Sequence, residues 1–596
     1  MTRFEWTRRR FIQAAGGLFV LGAPRALLGE LPAPAPGAVL SGSSFDLSIG
    51  VASVNFTGRR RHATVVNGRL PAPLLRWREG DTVTLRVRNL LRERSSIHWH
   101  GMIVPADMDG VPGLSFAGIA PGETYEYRFK VNQHGTYWYH SHSRFQEQTG
   151  LYGPIVIEPR DGERFPADRD YVVMLSDWTD LDPEHLFSKL KKQSDYFNHD
   201  KRTVGDLVAD ARTRGWRRAF EEQRMWGEMR MDPTDLMDVT GHAYTYLMNG
   251  ATPNANWTCL FSRGEKVRLR FINGSAMSFF DVRIPGLKLT VVAHDGVDVE
   301  PVTVDEFRLG TAETCDVIVE PNDDRAYTIF AQSLDRTGYA RGTLAPRPGM
   351  AADVPPLDPR PLLTMSDMGM AHGAHGEHAP APSDRSHAAH AAHGAVSPRA
   401  GSHANHSSSM SAAERARRFG PNVDMVAEQV STRLDDPGIG LRDNSRRVLT
   451  YADLHTIGGP IDARAPEREI RLHLTGHMER FIWSFDGKKF SEAPPIRFRY
   501  GERLRITLVN DTMMTHPIHL HGMWSEIETP SGEFQVRKHT IVVNPAQQIS
   551  YAVTADALGR WAYHCHLLYH MEAGMFREVE VTHEGAPGHH DHRGHE

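Results

Sequence analysis

Between residues 45 and 160 the chain alternates apolar and polar side chains over short runs, as in DTVTLRVRNL (81–90) and ETYEYRFKV (123–131). Period-two alternation places successive side chains on opposite faces, the pattern of a half-buried strand. Turns containing Gly or Pro, such as REGD and APGE, separate the runs. The unit recurs: REGDTVTLRVRNL (78–90), RGEKVRLRFINGS (263–275) and YGERLRITLVNDT (500–512) share a turn, an alternating run and a closing Asn. Three widely spaced copies predict three related all-β domains, and strands at this density predict Greek-key β-sandwiches. The domains fall at 45–160, 168–345 and 441–583.

Two stretches break the pattern. Residues 183–240 are charged and poor in β-branched side chains, which predicts a helical insertion in the second domain. Residues 346–412 are Pro, Ala, Ser, Gly and His with almost no large apolar side chains. With the stretch up to 440 they read as a disordered Met/His-rich linker before the third domain.

Composition then narrows the chemistry. At 596 residues, with 40% hydrophobic and 24% charged side chains, the chain is neither fibrous nor disordered as a whole. No apolar run reaches the ~18 residues that span a bilayer, so no stable membrane anchor is expected. A net charge of −5 offers no footprint for nucleic acid. Three cysteines are too few for a disulfide scaffold or a Cys₄ zinc site. The 33 histidines and 22 methionines change the picture, because both can ligate soft or borderline metals. The N-terminus carries an address: Arg8 and Arg9 in tandem precede an apolar stretch from Phe11 to Leu21, and LPAPAPGA (31–38) follows. This reads as a cleaved twin-arginine signal over 1–38, implying the twin-arginine translocase and the periplasm of a Gram-negative bacterium.

Four motifs concentrate the histidines. They are IHWHG (97–101) with His98 and His100, and YWYHSHS (137–143) with His140 and His142. THPIHLHG (515–522) follows with His516, His519 and His521, then YHCHLLYHMEAGM (563–575) with His564, Cys565, His566, His570 and Met575. In a strand, H-x-H puts two imidazoles on one face, ready to ligate adjacent metals. Four such pairs supply eight imidazoles, enough for a cluster. Cys565 lies between two of them and points the other way. With His516, His570 and a weak axial Met575 it forms a His₂Cys plus Met set, which suits a blue-copper electron-transfer site. One-residue spacing joins a one-electron port to a multinuclear site.

These motifs closely resemble the multicopper oxidases over about 45–583, with all four family motifs in order. The resemblance implies three cupredoxin domains and four copper ions, with a trinuclear cluster where the first and third domains meet. His98 and His519 match the type 2 ligands. His100, His140, His142, His521, His564 and His566 match the type 3 pair's ligands, and His516, Cys565, His570 and Met575 match type 1. The implied reaction couples one-electron oxidation of a donor to reduction of dioxygen to water. Within the family, HWHGMIVPADMDGVPG, RLRFINGSAMSFFDVRIPGLKLTVVAHDG, the export signal and the Met/His linker are similar to the CopA-type copper-resistance oxidases. That similarity makes Cu(I) the expected donor, with phenolics as side substrates, copper detoxification as the outcome and periplasmic copper carriers as conceivable partners. The alternatives are a periplasmic copper-sequestering protein and a general laccase.

Reducing dioxygen consumes four protons, so acids are expected nearby. Asp109, in MDGVPG, matches the acid that family members keep near type 2 copper. Glu572 is the weaker candidate, since the family often has an acid directly after the type 1 His and here that residue is Met571. Met365, Met368, Met370, His372, His375 and His378 form a soft cluster with almost no packing partners in sequence, read as accessory copper ligands. Met225, Met229 and Met231 read equally well as a core stripe on a helix. Cys259 and Cys315 could pair in an oxidising compartment. The tail GHHDHRGHE is a loose chelator.

Overall fold

A computed structural model describes residues 38–370 and 419–583. Strands form six sheets, two in each of three successive stretches of chain. The first stretch pairs a five-stranded sheet, ordered Val39–Ser41, Leu74–Arg78, Tyr152–Glu158, Gly135–His140, His98–His100, with a four-stranded one. The second and third stretches each carry a six-stranded and a five-stranded sheet, giving three cupredoxin-like sandwiches.

The recurring unit has a structural basis. Its strands Thr82–Asn89, Val267–Asn273 and Arg503–Asn510 each pair in parallel with the long strand that opens their domain, and antiparallel with a second partner. Each ends on a fully buried Asn whose amide donates to two carbonyl oxygens and whose Oδ1 accepts a backbone N–H two residues on. A buried Asn that satisfies three backbone groups fixes the bend where the chain leaves the sheet. In the first and third domains this bend leads toward the His motifs.

The insertion of the second domain forms helices Pro183–Lys192, Val204–Arg214 and Trp216–Met229. Asp182 and Thr203 cap the first two by accepting the N–H of His185 and Asp206. Leu186 and Leu190 of the first helix and Trp226 of the third dock on a core shared by the second and third domains. Met229 and Met231 pack on that core, whereas Met225 faces outward. No helix among the described residues is long and apolar enough to cross a membrane.

The segment 346–440 departs from expectation at its described ends. Leu363, Met365 and Met368 are buried in the same core, as are Met425 and Leu434 on the far side. Leu363 N–H donates to Pro233 O, and Glu428 and Gln429 N–H both donate to Gly369 O. A few large apolar side chains suffice to pin a polar segment, so the thioethers of Met365 and Met368 have the packing partners that composition concealed. His372, His375 and His378, the export signal apart from Ala38, and the tail 584–596 lie outside the described residues. Cys259 and Cys315 are buried and free, on different sheets of the second domain, so the pairing considered for them is absent.

Candidate metal centres

Strand register sorts the ligands. In the third domain His516–Leu520 runs antiparallel to Gly559–Cys565, with Ile518 opposite Cys565 and His519 opposite His564. Directly opposed residues share a face, and successive residues switch face. His516 and Cys565 therefore fall on one side of the sheet, and His519 and His564 on the other. In the first domain His98–His100 pairs with Gly135–His140, placing His98 opposite His140.

On the first side, Cys565 Sγ lies 3.6 Å from His516 Nδ1 and 3.8 Å from His570 Nδ1, and the two Nδ1 atoms are 3.2 Å apart. Both Nε2 atoms are engaged elsewhere, His516 with Thr512 Oγ1 at 2.7 Å and His570 with Asp238 Oδ2 at 2.7 Å. Each ring thus turns Nδ1 toward the thiol. Met575 is fully buried, and its carbonyl accepts the Cys565 N–H, closing the loop that carries His570. Trp483 stacks on His570 at 4.0 Å. Burial raises the Cys565 thiol and depresses the His516 imidazole.

On the other side, eight imidazoles from two domains converge. Nε2 of His521 and His564 are 3.1 Å apart, those of His140 and His566 3.4 Å, and the rings of His98 and His519 5.8 Å. His142, His521 and His564 bring one ligand atom each to within 4.8 Å of the others, as do His98, His519 and His521. Outer contacts set which nitrogen faces inward. Nδ1 of His98 donates to Asp109 O at 2.7 Å, and Nδ1 of His521 to Asp109 Oδ2 at 2.9 Å. Nδ1 of His519 donates to His539 O at 2.6 Å, and Nδ1 of His564 to Cys565 O at 3.0 Å. His140 Nδ1 lies 2.5 Å from Glu147 Oε2. His100 is the exception: its Nε2 is engaged, by Thr540 Oγ1 at 3.1 Å and His539 Nδ1 at 3.2 Å.

The residues fit bound metal. Nε2 of His98, His142 and His519 and Nδ1 of His100 and His566 are buried with no hydrogen-bond partner among the described residues. Each orphaned buried polar atom costs about 1–3 kcal/mol, and a bound metal would satisfy those that face the cluster. Burial pushes His100, His140, His142, His519, His521 and His566 well below the usual imidazole range, and His564 down to about 4. Neutral rings offer lone pairs, and an imidazole cluster beside a His₂Cys plus Met set suits copper.

Asp109 is fully buried and meets two cluster rings, as its position suggested. Glu572 does not reach the cluster in any described contact. Its carboxylate pairs with Arg144 of the first domain, which also pairs with Glu184 on the inserted helix. Glu147 is the second buried carboxyl at the cluster, with Oε1 unpartnered and its pKa pushed well up by burial. Sequence reasoning missed it, together with Asp238 and His539, because none lies within an H-x-H motif. The weak hint for Glu147 was an acid five residues after His142.

Three family models, each described as multicopper oxidase, match in turn at residues 48–162, 169–348 and 463–585. A copper resistance protein A homolog of Pseudomonas syringae pv. tomato is 60% identical over 96% of this chain and 99% of its own length. Copper resistance protein A of Escherichia coli is 61% identical over 91% and 93%. Among solved structures, Fet3p, a multicopper oxidase that functions in iron import, shares the fold with a TM-score of 0.61 at 18% identity, covering 91% of this chain and 90% of its own. The chain belongs to the multicopper oxidase family: it is a copper-dependent oxidoreductase that groups with copper resistance protein A.

Proposed function

We propose that the protein is a periplasmic oxidase of copper resistance, exported by the twin-arginine translocase. It takes single electrons from Cu(I), and secondarily from phenolics, at the type 1 site, and reduces dioxygen to water at the trinuclear site with four coppers in all. Copper supplies one-electron redox chemistry at one end and dioxygen reduction at the other. His516, Cys565, His570 and Met575 hold the first ion, and the eight paired imidazoles hold the other three.

The carrying observation is the environment of His570. Its Nε2 meets Asp238, itself buried beside Asp235, whose Oδ1 has no partner and whose pKa burial raises well above the carboxylate range. The Leu363–Pro233 hydrogen bond brings the segment of Met365 and Met368 alongside this stretch, which also contributes Met237. Thioethers beside an electron-entry imidazole suit a soft cuprous donor better than an aromatic one. At the cluster, Asp109 Oδ1 and Glu147 Oε1 are unpartnered buried carboxyl oxygens, placed to hold protons that dioxygen reduction consumes.

The test is oxygen uptake by copper-loaded protein with Cu(I) and with a phenol. Asp235→Asn should impair Cu(I) oxidation and spare phenol oxidation. Equal losses would sink the cuprous assignment and leave a general laccase. Cellular copper tolerance that persists in Cys565→Ser would instead favour sequestration.

A further inference from the structure

The second domain contributes no imidazole to the cluster, yet one of its carboxylates is locked into the cluster's support. Asp295, in the turn after strand Leu289–His294, is fully buried. Its Oδ2 accepts the backbone N–H of His539 at 3.2 Å and of Thr540 at 3.1 Å, and its Oδ1 accepts Thr314 N–H at 3.1 Å. Lys538, with no exposure at all, donates to Asp295 Oδ2 at 2.9 Å, Glu313 Oε1 at 2.8 Å and His294 Nδ1 at 2.8 Å. A buried ion pair of this kind adds little net stability compared with apolar packing. What it does is fix the peptide 538–540.

That peptide holds two cluster rings. The carbonyl of His539 accepts from His519 Nδ1, and its ring together with the Thr540 hydroxyl engages His100 Nε2. At His100 the consequence is specific. With the hydrogen on Nε2, donated to Thr540 Oγ1 or His539 Nδ1, Nδ1 keeps its lone pair and turns into the cluster. The other rings whose outer contacts are described for the cluster, His98, His519, His521, His140 and His564, are held at Nδ1 instead. An imidazole presenting the opposite nitrogen needs its own device to choose tautomer and ring orientation.

We propose that Asp295 is a positioning residue of the trinuclear centre: acting through His539 and Thr540, it makes His100 present Nδ1 and holds His519 in place. The second domain thereby controls a cluster to which it gives no ligand. The inference rests on the family assignment and not on the identity of the electron donor, so copper content and spectra test it without any substrate.

The experiment uses the full chain, loaded with copper and dialysed. Asn at 295 cannot replace Asp, because both carboxylate oxygens accept and an amide NH₂ would face a donor in either orientation. Asp295→Asn should keep the type 1 copper and its paramagnetic resonance signal, alter the type 2 signal, and weaken cluster copper retention about 10- to 100-fold. Full copper retention with an unchanged type 2 signal would overturn the proposal, and so would loss of type 1 copper in step with the cluster. Should Asp295→Asn not fold, the pair His539→Leu and His539→Asn decides. An Asn side chain places its oxygen near the position of Nδ1, so His539→Asn should recover most of the cluster copper that His539→Leu loses. Equal retention in the two variants would overturn the proposal as well.

Discussion

The two centres on either side of one sheet are built differently. The set His516, Cys565, His570 and Met575, the proposed type 1 site, comes from a single domain, with Cys565, His570 and Met575 within eleven residues and His516 on the neighbouring strand. Its one described tie beyond its own domain at a ligand nitrogen is Asp238 on His570. The eight-imidazole set comes from two domains, and its rings are turned by contacts within and across them: Asp109 holds His98 of its own domain and His521 of the third, Glu147 holds His140 within the first, and the peptide at 539–540 holds His519 of its own domain and His100 of the first. A local site needs a stiff loop. A site across an interface needs a support for every ring, because each domain's rigid-body placement would otherwise blur all its ligands together.

Cys565→Ser presses hardest on this contrast. It should abolish the blue chromophore and reduce oxygen uptake to background, while metal analysis shows cluster copper retained. Emptying of the cluster as well would mean that the two centres are not separable. Next in size, Asp109→Asn should lower oxygen uptake about 10- to 100-fold with type 1 absorbance intact, since its carboxyl orients His521 and lies 3.3 Å from the Nδ1 of His98. Glu147→Gln, which touches one ring and keeps one acceptor oxygen, should cost about tenfold, measured the same way. A larger effect than that of Asp109→Asn would reverse the ranking of supports.

On the type 1 side the effects shrink. Asp238→Asn should leave copper content unchanged and lower turnover with Cu(I) by about tenfold or less, read from steady-state oxygen uptake. The smallest effect is one of stability. Burial pushes Asp424 up to about 7, and its Oδ2 accepts Met478 N–H in the turn leading to Phe481 and Trp483, which flank His570. A carboxyl raised above its unfolded value favours the fold while protonated, and that contribution is lost as pH rises through about 7. Asp424→Asn should therefore gain on the wild type by about 2–3 kcal/mol between pH 5 and pH 8 in thermal unfolding. A gap that does not widen with pH would show that this carboxyl titrates normally.

How far sequence reached differs between these parts. The three sandwiches were legible from the recurring strand unit, because period-two burial writes itself directly into side-chain order. The grouping of the His and Cys side chains was legible because H-x-H and the Cys565–His570–Met575 spacing are local, and the structure brings those side chains together. Asp109 was legible by its neighbourhood to the first motif. Glu572 was misjudged since closeness along the chain to His570 says nothing of direction, and its carboxylate turns to Arg144. The packing of Met365 and Met368 was illegible since their partners lie far off in the chain.

Sequence alone thus determined the kind of chemistry: which side chains can bind copper, how many there are, and that Cys565 stands between two imidazoles. Tertiary structure decided which nitrogen of each ring faces the cluster, which carboxyls serve it, and that the second domain takes part through Asp295. The reason is that ligand identity is a property of residue type and strand period. Orientation is a property of hydrogen bonds between residues as far apart as 295 and 539, or 109 and 521, which become neighbours only when the domains dock.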